Sequence, residues 1–151
     1  MRSRTWLLPA GLIVGLFYLG CFGDDDGPSG AANPDYSGSF LVADTLEINS
    51  CAVPAPLGAQ VAVDVSGTAI TFAGIAGTWD PDALHGAGSS GPTTVPINPA
   101  QDCYGTYVAS FDIVFDDEDH FRGRYTVDYS YTAGCGAPDC GYAYRIGGTR
   151  P

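Results

Sequence analysis

The sequence predicts an all-β protein built as a small up-and-down barrel of about eight antiparallel strands. From residue 35 onwards, apolar side chains recur at every second position, which is the period of a strand with one buried face. No segment keeps a helical period over three turns, and 21 glycines and 11 prolines divide the chain into short runs. A two-sheet β-sandwich accommodates the same pattern and is the alternative architecture.

The first predicted strand is "YSGSFLVADTLEIN", residues 36–49. Its even positions are apolar and its odd positions mostly polar, so the alternation predicts an inward set comprising Tyr36, Phe40, Val42, Leu46 and Ile48. Asp44 interrupts this set. It marks either a bulge or a polar group that points into a cavity.

The middle of the chain carries weaker strand signals. Residues 60–66 ("QVAVDVS") and 68–73 ("TAITFA") alternate, with Gly67 at the turn between them. Pro81 within "GTWDPDAL" (77–84) predicts an edge strand or a bent one, because proline cannot donate to a ladder. Residues 85–101 are rich in glycine, serine and proline and are predicted to be mostly loop, with at most a short strand around 93–95.

The strongest signal comes last. Residues 106–115 ("TYVASFDIVF") and 121–131 ("FRGRYTVDYSY") alternate on either side of the acidic turn 116–120, which predicts a β-hairpin, and 141–149 supply a final strand. Six tyrosines fall on the inward face: Tyr107, Tyr125, Tyr129, Tyr131, Tyr142 and Tyr144. Such rings either fill a small barrel or line a cavity for a small apolar ligand.

Two short features near the ends of this domain resemble lipocalins. Gly38-Ser39-Phe40 is similar to the Gly-x-Trp of that family, with Phe in place of Trp, and Arg145 is similar to its late arginine. The resemblance implies a barrel.

Residues 1–20 form a predicted signal peptide. Arg2 and Arg4 precede an apolar run that is too short to cross about 30 Å of hydrocarbon and that fits an export signal. The junction Tyr18-Leu19-Gly20-Cys21 resembles the lipobox of bacterial lipoproteins, with Tyr18 where the family usually has Leu. The resemblance implies lipidation of Cys21, and two or more acyl chains make a stable anchor. An ordinary secreted protein or an uncleaved anchor is the alternative.

The expected organisation follows from this leader. Residues 1–20 are a signal peptide, 21–34 are the lipidated Cys21 with a flexible acidic tether, and 35–151 are a single disulfide-bonded β domain. The expected location is the cell envelope, with the lipid bilayer of the outer membrane as the partner of the lipidated N-terminus.

The charge balance argues against nucleic acid as a partner. Seventeen acids stand against six arginines, and loss of residues 1–20 takes the formal net charge from -11 to −13 because Arg2 and Arg4 leave with them. Such a surface repels phosphate backbones and anionic headgroups.

The cysteines predict two disulfides at one end of the domain. Setting Cys21 aside leaves Cys51, Cys103, Cys135 and Cys140, which pair in an oxidising compartment. In an eight-strand meander all four fall at the same, membrane-distal end, and the predicted pairs are Cys51–Cys103 and Cys135–Cys140. Zinc is disfavoured because paired CxxC spacing is missing. The loops of this end, 49–59, 85–103 and 132–140, are where a protein or small-molecule ligand is expected.

No catalytic or metal-binding set and no cofactor emerges from the sequence. His85 lies near Ser89 and Ser90 without a nucleophile elbow, and His120 lies in the acidic turn 116–120, which is either a calcium chelator or a solvated turn. The function expected is therefore a non-enzymatic binding or interaction module. A small apolar-ligand carrier and a hydrolase are the alternatives.

Overall fold

The computed structural model describes residues 34–52 and 54–151. Within them the chain is all-β, as the sequence predicts, with two single-turn 3-10 helices at Pro99–Gln101 and Ala133–Cys135. The nine strands are β1 Gly38–Asn49, β2 Gln60–Ser66, β3 Ala69–Phe72, β4 Ile75–Asp80, β5 His85–Ser89, β6 Thr93–Asn98, β7 Cys103–Asp117, β8 His120–Tyr131 and β9 Cys140–Thr149. The predictions for residues 1–33, lipidation of Cys21 among them, lie outside the described residues.

Eight of the nine strands close into a ring. Going round it, β1, β2, β3, β4, β5, β7, β8 and β9 are antiparallel neighbours, and β9 pairs back onto β1. Strand β6 does not enter the ring. It follows β5 along the same edge of β7, so that β5 pairs with Ser110–Val114 and β6 with Cys103–Tyr107. This closure is barrel-like, and it favours the barrel over the sandwich.

The prediction that 85–101 is mostly loop is wrong, because β5 and β6 lie there. Glycine has a low strand propensity, but this wall of the barrel needs small residues. A Cβ on Gly86 would lie 2.6 Å from Ile70 Cδ1, and one on Gly88 would lie 2.6 Å from Phe111 Cε1. The predicted edge position of the strand before Pro81 is also wrong. Strand β4 lies between β3 and β5 and ends at Asp80, which leaves the proline in the turn.

Aromatic side chains fill the closed ring. The Phe115 ring centroid lies 5.7 Å from that of Phe40, 5.6 Å from Phe121 and 5.7 Å from Trp79. These spacings are those of favourable tilted and edge-to-face pairs. The largest side chains with almost no exposed surface are Phe40, Phe72, Phe115, Ile70, Ile113 and Ile146.

A bulge in β1 changes which of its residues point inward. Leu46 pairs with Tyr144 but Ile48 pairs with Ala143, so the register slips by one between them. Glu47 and Ile48 consequently both face outward, where the Glu47 carboxylate lies 2.6 Å from the Arg145 guanidinium. The predicted inward position of Ile48 is therefore wrong. Asp44 keeps the inner register opposite Ile146 and stays exposed, because β2 pairs only with Gly38–Leu41.

Arg150 fastens the end of the barrel at which β1 begins. Its guanidinium donates to the carbonyls of Ser37 at 3.0 Å, Asp35 at 2.7 Å and Glu118 at 2.8 Å. It also lies over the Phe40 ring, 5.2 Å from the centroid, and forms an ion pair with Asp119 at 2.9 Å. Arg145, the residue that resembles the late arginine of lipocalins, lies instead on the outer face beside Glu47.

Candidate functional site: a tyrosine face at the disulfide rim

Both disulfides lie at one end of the barrel, as the sequence predicts, but their pairing differs from the prediction. Cys51 is bonded to Cys140, with 5.1 Å between their Cα atoms, and Cys103 to Cys135, with 4.5 Å. The predicted pairs are wrong because ring closure makes β1 a neighbour of β9. The end of β1 therefore meets the start of β9, and the start of β7 meets the loop that follows β8. We call this end the disulfide rim.

The longer strands extend past the closed ring towards the disulfide rim. Beyond Leu41, β1 pairs with β9 but no longer with β2, and β5 pairs with β7 only at Ser110–Val114. Between the closed ring and the disulfide rim, the strands therefore form an open sheet in the order β6-β7-β8-β9-β1. Its inner face continues the barrel interior, and its two outer strands have one free side each.

The inner face of this open sheet is built from tyrosines. The register puts Tyr107 opposite Tyr129, Tyr125 opposite Tyr144 and Val127 opposite Tyr142, so the six predicted tyrosines share one face. Ring centroids are 5.8 Å apart for Tyr107 and Tyr129, 6.2 Å for Tyr129 and Tyr131, and 6.2 Å for Tyr129 and Tyr142. The rings therefore form a contiguous cluster centred on Tyr129.

A strap, residues 50–59, crosses part of this face on its way from β1 to β2, and its residue 53 is not described. Cys51 fixes its start to β9, and Leu57 packs against the buried core. Near its end, the Ala59 carbonyl accepts the Val42 N–H at 2.9 Å. The sequence predicts that this segment is a loop of the rim, and the apolar Leu57 between two prolines and a glycine is the feature that indicates packing, since it is partly buried in the structure.

Burial extends to higher pH the range in which the covered tyrosines stay neutral. The pKa of Tyr142 is raised by burial first and then by its hydrogen bond to the Tyr129 hydroxyl, while a hydrogen bond to the Ala55 backbone acts in the opposite direction. Burial also raises the pKa of Tyr125, with smaller contributions from Tyr129 and Tyr107. At neutral pH these rings are uncharged, so they offer apolar faces and neutral hydroxyls.

The rest of the face is open to solvent and apolar at its edge. Val95 and Ile97 of β6 are 37% and 53% exposed. Val95 pairs with Gly105, which pairs with Tyr131, and Ile97 Cδ1 lies 3.0 Å from where a Cβ on Gly105 would be. Both side chains therefore lie on the inner side, beside the rings. We call the open part the tyrosine face; it comprises Val95, Ile97, Tyr107, Tyr129 and Tyr131.

The outer side of the rim carries a polar groove of about 440 Å³. Its carboxylates belong to Asp128 and Asp139, and the Asp139 Oδ1 accepts the Tyr131 N–H at 2.9 Å. The Ser50 hydroxyl accepts the Gly141 N–H at 2.8 Å. These polar groups hold the backbone together. Across the described ranges, no three His, Cys, Asp or Glu side chains are grouped so that they could hold a metal ion.

Among the described residues, neither histidine forms a hydrogen bond with a serine. His85 Nε2 lies 3.2 Å from Asp112, whereas the Ser90 hydroxyl accepts the Ala109 N–H at 3.0 Å. His120 Nδ1 lies 2.8 Å from Asp117, and this hydrogen bond is the main reason that the pKa of the Asp117 carboxyl is lowered.

Three of the four acids in the segment 116–119 face a basic side chain. Asp116 faces Arg122 at 3.0 Å, Asp117 faces His120 at 2.8 Å and Asp119 faces Arg150 at 2.9 Å. Carboxylates that are engaged in this way are poorly placed to gather round a calcium ion, which needs six to eight oxygen ligands. The turn is therefore better described as a solvated, ion-paired turn.

Comparison with known proteins assigns this chain to no family. No protein-family model matches it, and no curated protein or solved structure matches it either. In the part of the chain that the structure describes, no helix is long and apolar enough to cross a membrane. The class that the fold and site define is that of a small disulfide-bonded β protein with a tyrosine-rich open face.

Proposed function

We propose that this protein is a non-enzymatic binding or interaction module of the cell envelope, anchored to the lipid bilayer through a lipidated Cys21. Its binding surface is the tyrosine face. The observation that carries the proposal is the position of solvent-exposed Val95 and Ile97 beside a cluster of tyrosine rings at one end of the barrel. Exposed apolar side chains grouped beside aromatic rings are typical of interaction sites.

The direction of β1 supports a tyrosine face that points away from the bilayer. Pro34 and the start of β1 lie at the end opposite the disulfide rim, since β1 runs from Gly38 towards Cys51. The tether 22–34 spans at most about 40 Å when fully extended. An anchor at Cys21 therefore leaves the tyrosine face on the side of the domain that points away from the bilayer.

The chemistry of the face suits a partner with apolar and hydrogen-bonding groups. Tyrosine offers a large contact area with only two side-chain torsions, so little conformational entropy is lost on binding. The rings are fixed by the β7–β8 and β8–β9 ladders, which makes the face preorganised. A protein surface or a small molecule with aromatic or aliphatic groups fits this description, and a polyanion is opposed by the acidic domain.

The two alternatives receive less support from the geometry. A carrier with a cavity inside the barrel requires space that Phe40, Phe72 and Phe115 fill, all at most 2% exposed. A hydrolase requires a nucleophile beside a base. Among the described residues, His85 and His120 instead contact Asp112 and Asp117.

Site-specific photo-crosslinking in the envelope tests the binding surface. A photoreactive amino acid replaces Ile97 on the tyrosine face or, as a matched control, Ile48 on the outer face, since the two side chains are 53% and 54% exposed. We expect a discrete crosslinked adduct from position 97 and none from position 48. Equal crosslinking from both positions, or none from either, would contradict the proposed surface.

Metabolic labelling with a radioactive fatty acid tests the anchor. The intact chain is expected to incorporate label, and Cys21→Ser is expected to lose it. A chain that carries no label belongs to the secreted class, and one that stays labelled after Cys21→Ser is modified elsewhere.

A further inference from the structure

The end of the barrel opposite the disulfide rim contains a second cavity, of about 470 Å³. It opens between the start of the described chain, the turn after β2 and the turn after β4. Its walls are formed by Pro34, Asp35, Tyr36, Val65, Gly67, Trp79, Pro81 and Leu84. This volume is that of a site for a small molecule. The cavity lies at the other end of the barrel from the tyrosine face, so ligand binding there does not depend on that face.

The aromatic wall of the cavity is rigid. The ring centroids of Tyr36 and Trp79 are 5.3 Å apart, and Tyr36 also packs edge-on against Phe115 at 5.1 Å. Trp79 lines the cavity and is 5% exposed, so its ring is held in place by the core. Aromatic rings that are fixed in this way offer a preformed surface to a ligand.

Leu84 completes the wall in an unfavourable backbone conformation. Its φ is 51°, in the left-handed region that non-glycine residues rarely occupy. The Phe115 N–H holds it there by donating to the Leu84 carbonyl at 2.9 Å. Strained residues that the surrounding structure holds in place are found preferentially at ligand sites. The strain here positions an aliphatic side chain against the cavity.

The charge around the cavity is negative. Asp35 is the one charged residue in the described wall, and its Oδ1 accepts the Ser37 N–H at 2.9 Å, which fixes the carboxylate. Two further exposed acids, Asp80 and Asp82, flank Pro81. A neighbouring cation, Arg150, donates to the Asp35 carbonyl but is engaged by Asp119 at 2.9 Å. The field at the mouth therefore favours a cationic ligand and opposes an anion.

We propose that this cavity binds an organic ammonium ion whose positive head carries apolar substituents, such as a trimethylammonium group. Tyrosine and tryptophan attract such cations through the negative face of the ring, and a nearby carboxylate adds direct charge pairing. Pro34, Pro81, Val65 and Leu84 contact the methyl and alkyl groups. The ligand is either a soluble ammonium compound or the ammonium headgroup of a lipid.

The fluorescence of Trp79, which lines the cavity, reports ligand binding. The chain has two tryptophans, Trp6 and Trp79, so Trp6→Phe in the full chain leaves Trp79 as the sole indole. Its fluorescence is followed during titration with choline and with 3,3-dimethyl-1-butanol, the neutral molecule of the same shape. We expect a saturable change with choline and a roughly tenfold weaker response to the neutral molecule. Equal responses to the two compounds would overturn the proposal.

Asp35→Asn is the decisive variant. Asparagine keeps an oxygen to accept the Ser37 N–H, so the fold is maintained while the charge is removed. We expect the choline affinity to fall about tenfold, with the unchanged emission spectrum and melting temperature showing that the wall is intact. Asp128→Asn, on the outer face at the other end, is the matched control and is expected to bind choline as before. An affinity that survives Asp35→Asn refutes the role of the carboxylate.

A lipid arm distinguishes the two sources of the ammonium group. Monomeric dihexanoylphosphatidylcholine is compared with dihexanoylphosphatidylglycerol, which has the same tails and no ammonium group. Choline binding alone assigns the cavity to a soluble ligand, and Asp35-dependent binding of the phosphatidylcholine assigns it to a headgroup. If neither ammonium compound changes Trp79 emission, the cavity is not an ammonium site.

Discussion

Removing the Cys51–Cys140 disulfide should destabilise the domain more than removing Cys103–Cys135. The two cysteines of the first pair are 89 residues apart in sequence and those of the second pair 32. In the chain-entropy model, a crosslink restricts the unfolded chain in proportion to the logarithm of the loop it closes. The double variant Cys51→Ala/Cys140→Ala therefore loses about 4.6 kcal/mol of unfolding free energy, and Cys103→Ala/Cys135→Ala about 3.7 kcal/mol.

Urea unfolding at 25 °C, followed by Trp79 fluorescence in the Trp6→Phe chain, measures both losses. A domain is usually stable by about 5–15 kcal/mol, so either variant retains only part of its stability. With a urea slope of about 1–3 kcal/mol per molar, the unfolding midpoint falls by more than 1 M in each case.

The first pair also fixes the strap that crosses the inner face, so its loss should expose Tyr142 as well as lower the midpoint. Solvent perturbation of tyrosine absorbance below the unfolding transition is expected to rise for the Cys51 variant and not for the Cys103 variant. The reverse order of stability, or peptide mapping that recovers Cys51 linked to Cys103, would refute the connectivity on which the calculation rests.

Two further substitutions test the hydrogen bonds of Arg150 and the raised pKa of Tyr142. Arg150→Lys should lower the free energy of unfolding by about 2–3 kcal/mol, because an ammonium cannot reach the carbonyls of Ser37, Asp35 and Glu118 together as the guanidinium does. The control Arg145→Lys, on the outer face, should lower the free energy of unfolding by less than about 1 kcal/mol, and urea unfolding measures both. The raised pKa of Tyr142 means that the folded state holds its proton more tightly than the unfolded state, so this contribution to stability is present below pH 10 and lost above it. Tyr142→Phe loses the hydrogen bond to the Tyr129 hydroxyl and should be less stable than the natural chain at pH 8. Because phenylalanine does not titrate, this difference should narrow above pH 10 by up to about 1.4 kcal/mol per pH unit; a constant difference between pH 8 and pH 11 would show that Tyr142 has an ordinary pKa.

The parts of the fold that the sequence predicts well are those with bulky residues at alternate positions. Strands β7 and β8 and the turn between them were predictable because most of their inward positions carry aromatic or branched side chains. Where an inward residue is small, as Ala109 and Gly123 are, the residue opposite it on the other strand is branched. Strand β5 was not, because Gly86 and Gly88 have no side chain to show a period. Their role depends on Ile70 and Phe111, which are contributed by other strands.

The site was predictable in composition and not in arrangement. The tyrosines follow from the period of two, whereas the outward turn of Ile48 depends on one extra residue in β1, which alternation alone does not reveal. The correct disulfide pairing could have been predicted from the expected barrel. A closed ring makes the first and last strands neighbours, which places Cys51 beside Cys140, so the expected barrel already contradicts the pairing of Cys51 with Cys103.

The arrangement of β5 and β6 in series along one edge of β7 has a consequence for how the molecule opens. Because the ring closes through β5 alone, β6 can separate from Cys103–Tyr107 without breaking any pairing of the closed barrel. Amide hydrogens bonded between β6 and β7 should exchange with solvent when β6 separates locally from β7. Those bonded between β5 and β7 should exchange only on global unfolding, and therefore more slowly. We therefore expect β6, which carries the exposed apolar edge of the tyrosine face, to open at a lower free energy than the closed barrel.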